Sequence, residues 1–225
     1  MRRFDPVRFS SVLAGAAVGG LVLAACGNGG GGDAAPSSTA DGPSPAASKA
    51  LVQADLPEGF TVTTVPADTA LMSSLQAVQQ MKDVEITPAG CKDKNVAAQQ
   101  EVADTVKFGT QQNVARAQQV AYGVNFLPAE AKLSVFEAAG TGECAAVRLG
   151  AVEQTTTRKD LPTGTGAQGF VLEFARSVGD QKAESANAYF SKGGVTAMVF
   201  ANPGADGTLD RTGFEDMVKR VAAKL

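Results

Sequence analysis

The chain has no histidine and no tryptophan, and only 2 tyrosines and 3 cysteines among its 225 residues. Without histidine there is no Ser-His-Asp or Cys-His activation of a nucleophile, no His-ligated zinc and no imidazole pH switch. Lysine, carboxylate and tyrosine chemistry stay open in principle, but no paired motif for them stands out. The expectation is therefore no catalytic residue, no metal and no cofactor. Basic clusters are also missing. The net charge is −3, and removing a leader that carries Arg2, Arg3, Arg8 and Asp5 leaves 17 basic and 22 acidic side chains. Nucleic acid needs a basic face, so it is not an expected partner. Attraction to anionic lipid is not expected either.

Long apolar runs are absent as well. Val12 to Leu23 is uncharged and apolar but spans about 12 residues, against roughly 20 for a helix crossing a bilayer. A basic n-region, this short h-region and small residues before a cut describe an export signal over residues 1–25. Its end, Leu23-Ala24-Ala25-Cys26, matches the bacterial lipobox. That resemblance implies cleavage after Ala25, a diacylglyceryl group on the Cys26 thiol, and acylation of the new amine by a chain such as palmitate. Two or three chains at about 0.8 kcal/mol per buried CH2 hold a soluble domain at a membrane. The Arg2-Arg3 pair lacks the residues that a twin-arginine signal needs after it.

Residues 26–48 follow as a linker of Gly, Asn, Ala, Ser, Thr, Asp and Pro with Gly29 to Gly32 consecutive. Such a segment buries too little apolar surface to offset the entropy of ordering. As a flexible coil it spans on the order of 25 Å.

The remaining 49–225 reads as one α+β domain, an antiparallel sheet with helices packed on one face. Phe60 to Val65 reads as a strand. Asp68 precedes a helix with Leu71, Leu75, Val78 and Met81 at helical spacing, and a shorter helix runs from about Asn95 to Asp104. Val120, Tyr122, Val124 and Phe126 alternate as a strand with one buried face, and Pro128 suits the first turn of a helix ending at Gly140. Strands follow at Ala145 to Leu149 and Phe170 to Phe174. A hairpin joins Ala186–Phe190 to Val195–Val199 across Gly193-Gly194. Thr212 and Glu215 form a capping-box pattern before the stripe Phe214, Met217, Val218, Val221 and Ala222.

With Cys26 acylated, Cys91 and Cys144 are an even pair in an oxidising compartment, which predicts a disulfide. Neither histidine nor a Cys-x-x-Cys spacing is present to make either thiol reactive. Arg148 and Glu173 fall within strands and, with Arg176, could recognise an anionic group. The plainer reading is a solvent-facing ion pair across strands. Asp206 and Asp210 flank Gly207 but offer too few oxygens for calcium, and read as a turn and helix cap.

The lipobox, low-complexity linker, Leu56-Pro57-x-Gly59-Phe60, Pro88-x-x-Cys91, Gly142-x-Cys144, hairpin and final helix occur in this order. The pattern resembles envelope lipoproteins of mycobacteria and other actinobacteria that share a domain with the extracellular sensor of the PknH-type Ser/Thr kinase. It equally resembles a neighbouring lipoprotein family of undefined function. The resemblance implies an antiparallel sheet with helices around a cleft and disulfide support. The expectation is an exported protein, held at the outer face of the cell membrane by lipidated Cys26, that binds a small molecule, a lipid or an envelope protein. The alternatives are a lipid or lipoglycan carrier with an apolar cavity, and an enzyme working without histidine.

Overall fold

A computed structural model of the chain describes residues 45–117, 119–129 and 131–225. The export signal, Cys26 and the linker up to residue 44 lie outside the described residues. Alternating apolar side chains build the middle of a sheet from β8 (Gln181–Lys192) and β9 (Val195–Ala201). Between them Gly193 and Gly194 hold φ at +59° and +77°, the left-handed pair that a two-residue hairpin turn requires. This sets the register from Lys192↔Val195 to Ala186↔Ala201.

The sheet extends to nine antiparallel strands in the order β1-β3-β4-β9-β8-β7-β6-β5-β2. Its other members are β1 (Phe60–Val65), β2 (Ile86–Thr87), β3 (Thr110–Arg116) and β4 (Gln119–Pro128). They continue with β5 (Ala146–Leu149), β6 (Val152–Asp160) and β7 (Gln168–Val178). β3 and β6 are not legible as strands in the sequence. The stretch from Tyr122 to Leu127 in β4 is buried throughout, so this strand hides both faces where alternation predicts one.

A sheet buried on both faces needs cover on both. The helix α4 (Arg211–Lys224) lies on one face, where Phe214, Met217, Val218, Val221 and Ala222 join Val124, Phe126, Ala188 and Phe190. Its cap is Asp210, whose carboxylate accepts from the Gly213 amide at 2.9 Å, ahead of the expected Thr212. The chain enters on this same face. Ala46 and Leu51 are buried with the α4 cluster. Buried Gln112 grips the Leu51 backbone, accepting from its N–H at 2.7 Å and donating to its carbonyl at 3.0 Å. Packing thus begins a few residues before the sequence boundary at 49.

The helices α1 (Ala67–Asp83), α2 (Gly90–Val106) and α3 (Leu133–Gly140) cover the opposite face. The expectation of helices on one face holds for these three, while α4 sits across the sheet from them. α1 leans on α2 along Ala70, Val78 and Met81, which leaves Leu75 exposed. Pro128 ends β4 instead of opening a helix, and α3 starts at Leu133. Cys91, in the first turn of α2, is bonded to Cys144 in the 3-10 turn after α3, with Cα atoms 5.5 Å apart. Both half-cystines are fully buried beside Met81, Ile86, Val147 and Leu149. Among the described residues, no helix is long and apolar enough to cross a membrane.

Candidate functional site: an uncharged cleft under three helices

The three helices do not lie flush on the sheet. Small residues at their contact positions, Ala77 in α1, Ala98 in α2 and Ala139 and Gly140 in α3, leave a cleft of about 90 Å³ above Gly123 and its neighbours. Gly140 lets α3 end against β7, where a Cβ would stand 2.6 Å from Leu172 Cδ1. The floor is apolar and largely aromatic, made of Leu172 and Phe174 from β7, Tyr189 from β8 and Phe200 from β9. The Tyr189 ring stacks on Phe136 of α3 at 4.8 Å and meets Phe200 edge-on at 6.2 Å. These contacts fix the floor's shape.

The polar lining is unusual in kind. Six carboxamides, from Asn95, Gln99, Gln111, Asn125, Gln154 and Asn202, face the cleft, and among the described residues no charged side chain does. Four of the six have visible roles or states. Asn95 Nδ2 donates to the Cys91 carbonyl at 2.8 Å, tying the lining to the disulfide turn. Asn202 Nδ2 donates to the Val120 carbonyl at 3.1 Å. Gln154 Oε1 accepts from Arg176 Nε at 2.7 Å. Asn125 differs: it is 2% exposed, and among the described residues its Oδ1 has no hydrogen-bond partner. A buried carbonyl oxygen left unpaired costs about 1–3 kcal/mol. Its presence in the cleft is therefore a cost to the fold that a ligand donor could recover.

Among the described residues, Tyr189 is the one ionisable side chain of the lining. Burial pushes its phenol up to about 12, against smaller opposing effects of the Asn187 hydrogen bond and the Arg176 charge. The Asn187 amide donates to its hydroxyl at 3.0 Å. The phenol is thus neutral at physiological pH.

No family model matches the chain, and no curated protein matches it. A solved structure of an uncharacterized protein from Mycobacterium smegmatis, an Rv0999 ortholog, is similar at 13% identity with a TM-score of 0.49. The match covers 81% of this chain and 97% of that one.

The site residues singled out from sequence are not brought together. Arg148 and Glu173 lie on the α4 side of the sheet, whereas Arg176 lies on the cleft side, three residues along β7 from Glu173. Three residues along a strand is an odd number, and side chains alternate between faces. Glu173 is occupied by Lys159 at 2.8 Å and Arg211 at 3.7 Å, and Arg211 also reaches Glu184 at 3.0 Å. This is an ion-pair network, not an open anion site. Arg148 is exposed and donates to the Gly150 carbonyl at 3.2 Å.

Arg176 is the one of the three beside the cleft, behind Gln154. It donates to Gln154 and to Ser185 Oγ, each at 2.7 Å, and lies over the Phe174 ring. Burial lowers its pKa to about 10, and among the described residues no carboxylate pairs with it. Cys91, Glu143 and Cys144 lie close enough together to suggest a metal. The two sulfurs are bonded to each other, however, and Glu143 pairs with Lys94 at 2.7 Å. Asp206 accepts from Thr208, and Asp210 caps α4, as their spacing suggests.

Sequence reasoning missed the cleft because carboxamides at inward positions look like solvent-facing ones. One signal was present: Asn125 sits between Gly123 and Leu127, the second face of a strand already apolar on its first.

Proposed function

We propose that the protein is a membrane-anchored cell-envelope lipoprotein whose domain is a non-catalytic, sensor-like binding module. The cleft carries this reading: it is walled by three helices, has a shaped aromatic floor, and contains a buried acceptor that the protein itself does not satisfy. Convergent polar groups on an apolar floor are the ordinary form of a ligand site. Among the described lining residues the one ionisable group, Tyr189, holds its proton up to about 12, well away from a proton exchange near neutrality. Both thiols of the domain are consumed in the disulfide. The PknH-type resemblance, with its sheet, surrounding helices and supporting disulfide, points the same way.

A cavity of about 90 Å³ with six carboxamides weighs against an acyl-chain carrier. Enclosed sites for larger ligands run to roughly 300–1,000 Å³. The chain leading back toward Cys26 joins the domain on the α4 face.

Two experiments test this. Replacing Cys26 with Ala should move the protein from the membrane fraction to the soluble exported fraction, and unchanged fractionation contradicts the anchor. Native mass spectrometry of the domain purified from its own envelope should show a bound small molecule. That molecule should be lost from an Ala98→Phe variant, in which the new ring fills the cleft. A bare wild-type domain contradicts the binding role.

A further inference from the structure

We propose that the cleft recognises an uncharged, hydroxyl-rich group, a polyol or the sugar end of a larger molecule, and that Asn125 determines this specificity. The inference rests on the cleft being the ligand site and adds the chemistry of what enters it.

Charge is the first discriminator. An anion would lose its water on entry and find no cation in the lining; the nearby Arg176 has turned its Nε and Nη1 to Gln154 and Ser185. An ammonium would likewise find no carboxylate among the described lining residues. Burying either charge unpaired is strongly unfavourable. The second discriminator is the donor and acceptor pattern. A hydroxyl both donates and accepts, and a carboxamide offers an acceptor oxygen and two donor hydrogens. Asn125 lines the cleft at 2% exposure with its Oδ1 unpartnered among the described residues, so a small turn of its amide would let it exchange hydrogen bonds with a hydroxyl there. An acyl chain has none to give. Sites built around such hydrogen bonds reject analogues that lack them far better than apolar pockets sort by size.

The floor supplies the third element. Phe174, Tyr189 and Phe200 present aromatic surface to the C–H edges of a ring or polyol, while Asn125 meets its hydroxyls. The volume sets how much enters. A cavity of about 90 Å³ admits one compact hydroxylated fragment. The rest of a larger ligand would project out of the cleft.

A structural role for Asn125 makes the opposite forecast. Its oxygen has no partner among the described residues, so Asn125→Leu removes an unpaired buried group, keeps the branch at Cγ and places its extra bulk toward the cleft. The domain should melt at the same temperature or higher while losing its ligand.

The test is an NMR titration of the 15N-labelled domain, following the side-chain amides of the cleft. The neutral probes are glycerol, myo-inositol, methyl α-glucoside, methyl α-mannoside and maltose; the contrasting probes are glucuronate, glucose 6-phosphate and decanoate. The expected result is a saturable shift of cleft amides with at least one neutral probe and at least tenfold weaker binding of both charged sugars. Asn125→Leu should weaken the neutral interaction at least tenfold without lowering the melting temperature. Ala98→Leu, which narrows the cleft without touching β4, should weaken it too. If decanoate or a charged sugar alone shifts the cleft amides, this inference fails while the ligand-site reading stands. If every neutral probe is silent at tens of millimolar, or Asn125→Leu binds as well as the native chain, the inference is likewise overturned. The native mass measurement then decides the ligand-site reading separately.

Discussion

Reducing the Cys91–Cys144 bond is expected to destabilise the domain by about 4 kcal/mol, the chain-entropy value for closing a loop of this length. The bond spans 53 residues, a segment that contains α2, β3, β4 and α3. For a domain of this size the loss corresponds to a fall of roughly 10 °C in melting temperature. The effect should also be local. Cys91 lies one turn before Asn95 on α2, and Cys144 lies just beyond Gly140, the end of α3, so the bond ties together two of the three helices that wall the cleft. Amide hydrogen exchange after reduction should rise most in the first turn of α2 and the end of α3, and least in β8 and β9. Calorimetry with and without reductant, alongside a Cys91→Ala/Cys144→Ala double variant, reads the global effect. A shift of only a degree or two would show that the bond does not hold these walls.

The second large effect is alkaline. The chain has 2 tyrosines, and both are held protonated well beyond their ordinary range. Tyr189 is pushed up to about 12 by burial in the cleft floor. Tyr122 is pushed to about 12 by burial under α4 and by the nearby carboxylates of Asp210 and Asp216. Both phenols are neutral in the folded state, and the unfolded chain loses their protons from about pH 10. Their contribution is therefore fully present below pH 10 and is lost as pH rises toward 12. Two pH units for Tyr189 amount to about 3 kcal/mol. Tyrosinate absorbance near 295 nm should stay flat through pH 10 and then rise together with loss of ellipticity. Tyr189→Phe should move the unfolding midpoint to higher pH. A stepwise rise of absorbance centred at pH 10 with the fold intact would contradict this burial.

The same burial explains what the sequence reveals and what it conceals. The β8–β9 hairpin and α4 are legible because each uses one apolar period and one unambiguous signal, Gly193-Gly194 for the turn and a continuous stripe from Phe214 to Ala222 for the helix. β3 and β6 are concealed because their inward positions are polar. Gln112 is buried to hold the Leu51 backbone, and Gln154 to receive Arg176. Periodicity counts apolar side chains, so a buried amide registers as solvent-facing. α2 extends beyond its expected span for a related reason. Its added first turn has Cys91 as its one buried residue, with no apolar partner at helical spacing before Asn95.

The disulfide was legible because it needs only two thiols and a compartment. The cleft was not, because it is formed between β4, β7, β8, β9 and three helices whose relative placement no local pattern encodes. Arg148, Glu173 and Arg176 show the limit from the other side. Strand parity alone separates Arg176 from Glu173, but only the surrounding packing reveals that Lys159 and Arg211 already occupy Glu173.

The most direct measurement maps where a native ligand binds. The 15N-labelled domain is titrated with deproteinised small-molecule extract of its own envelope while backbone and side-chain amides are recorded. The expected shifts concentrate at Asn95, Asn125, Gln154 and the adjacent turns of α2 and α3. Shifts confined to the α4 face, or none in any extract fraction, would contradict a binding site beneath the three helices.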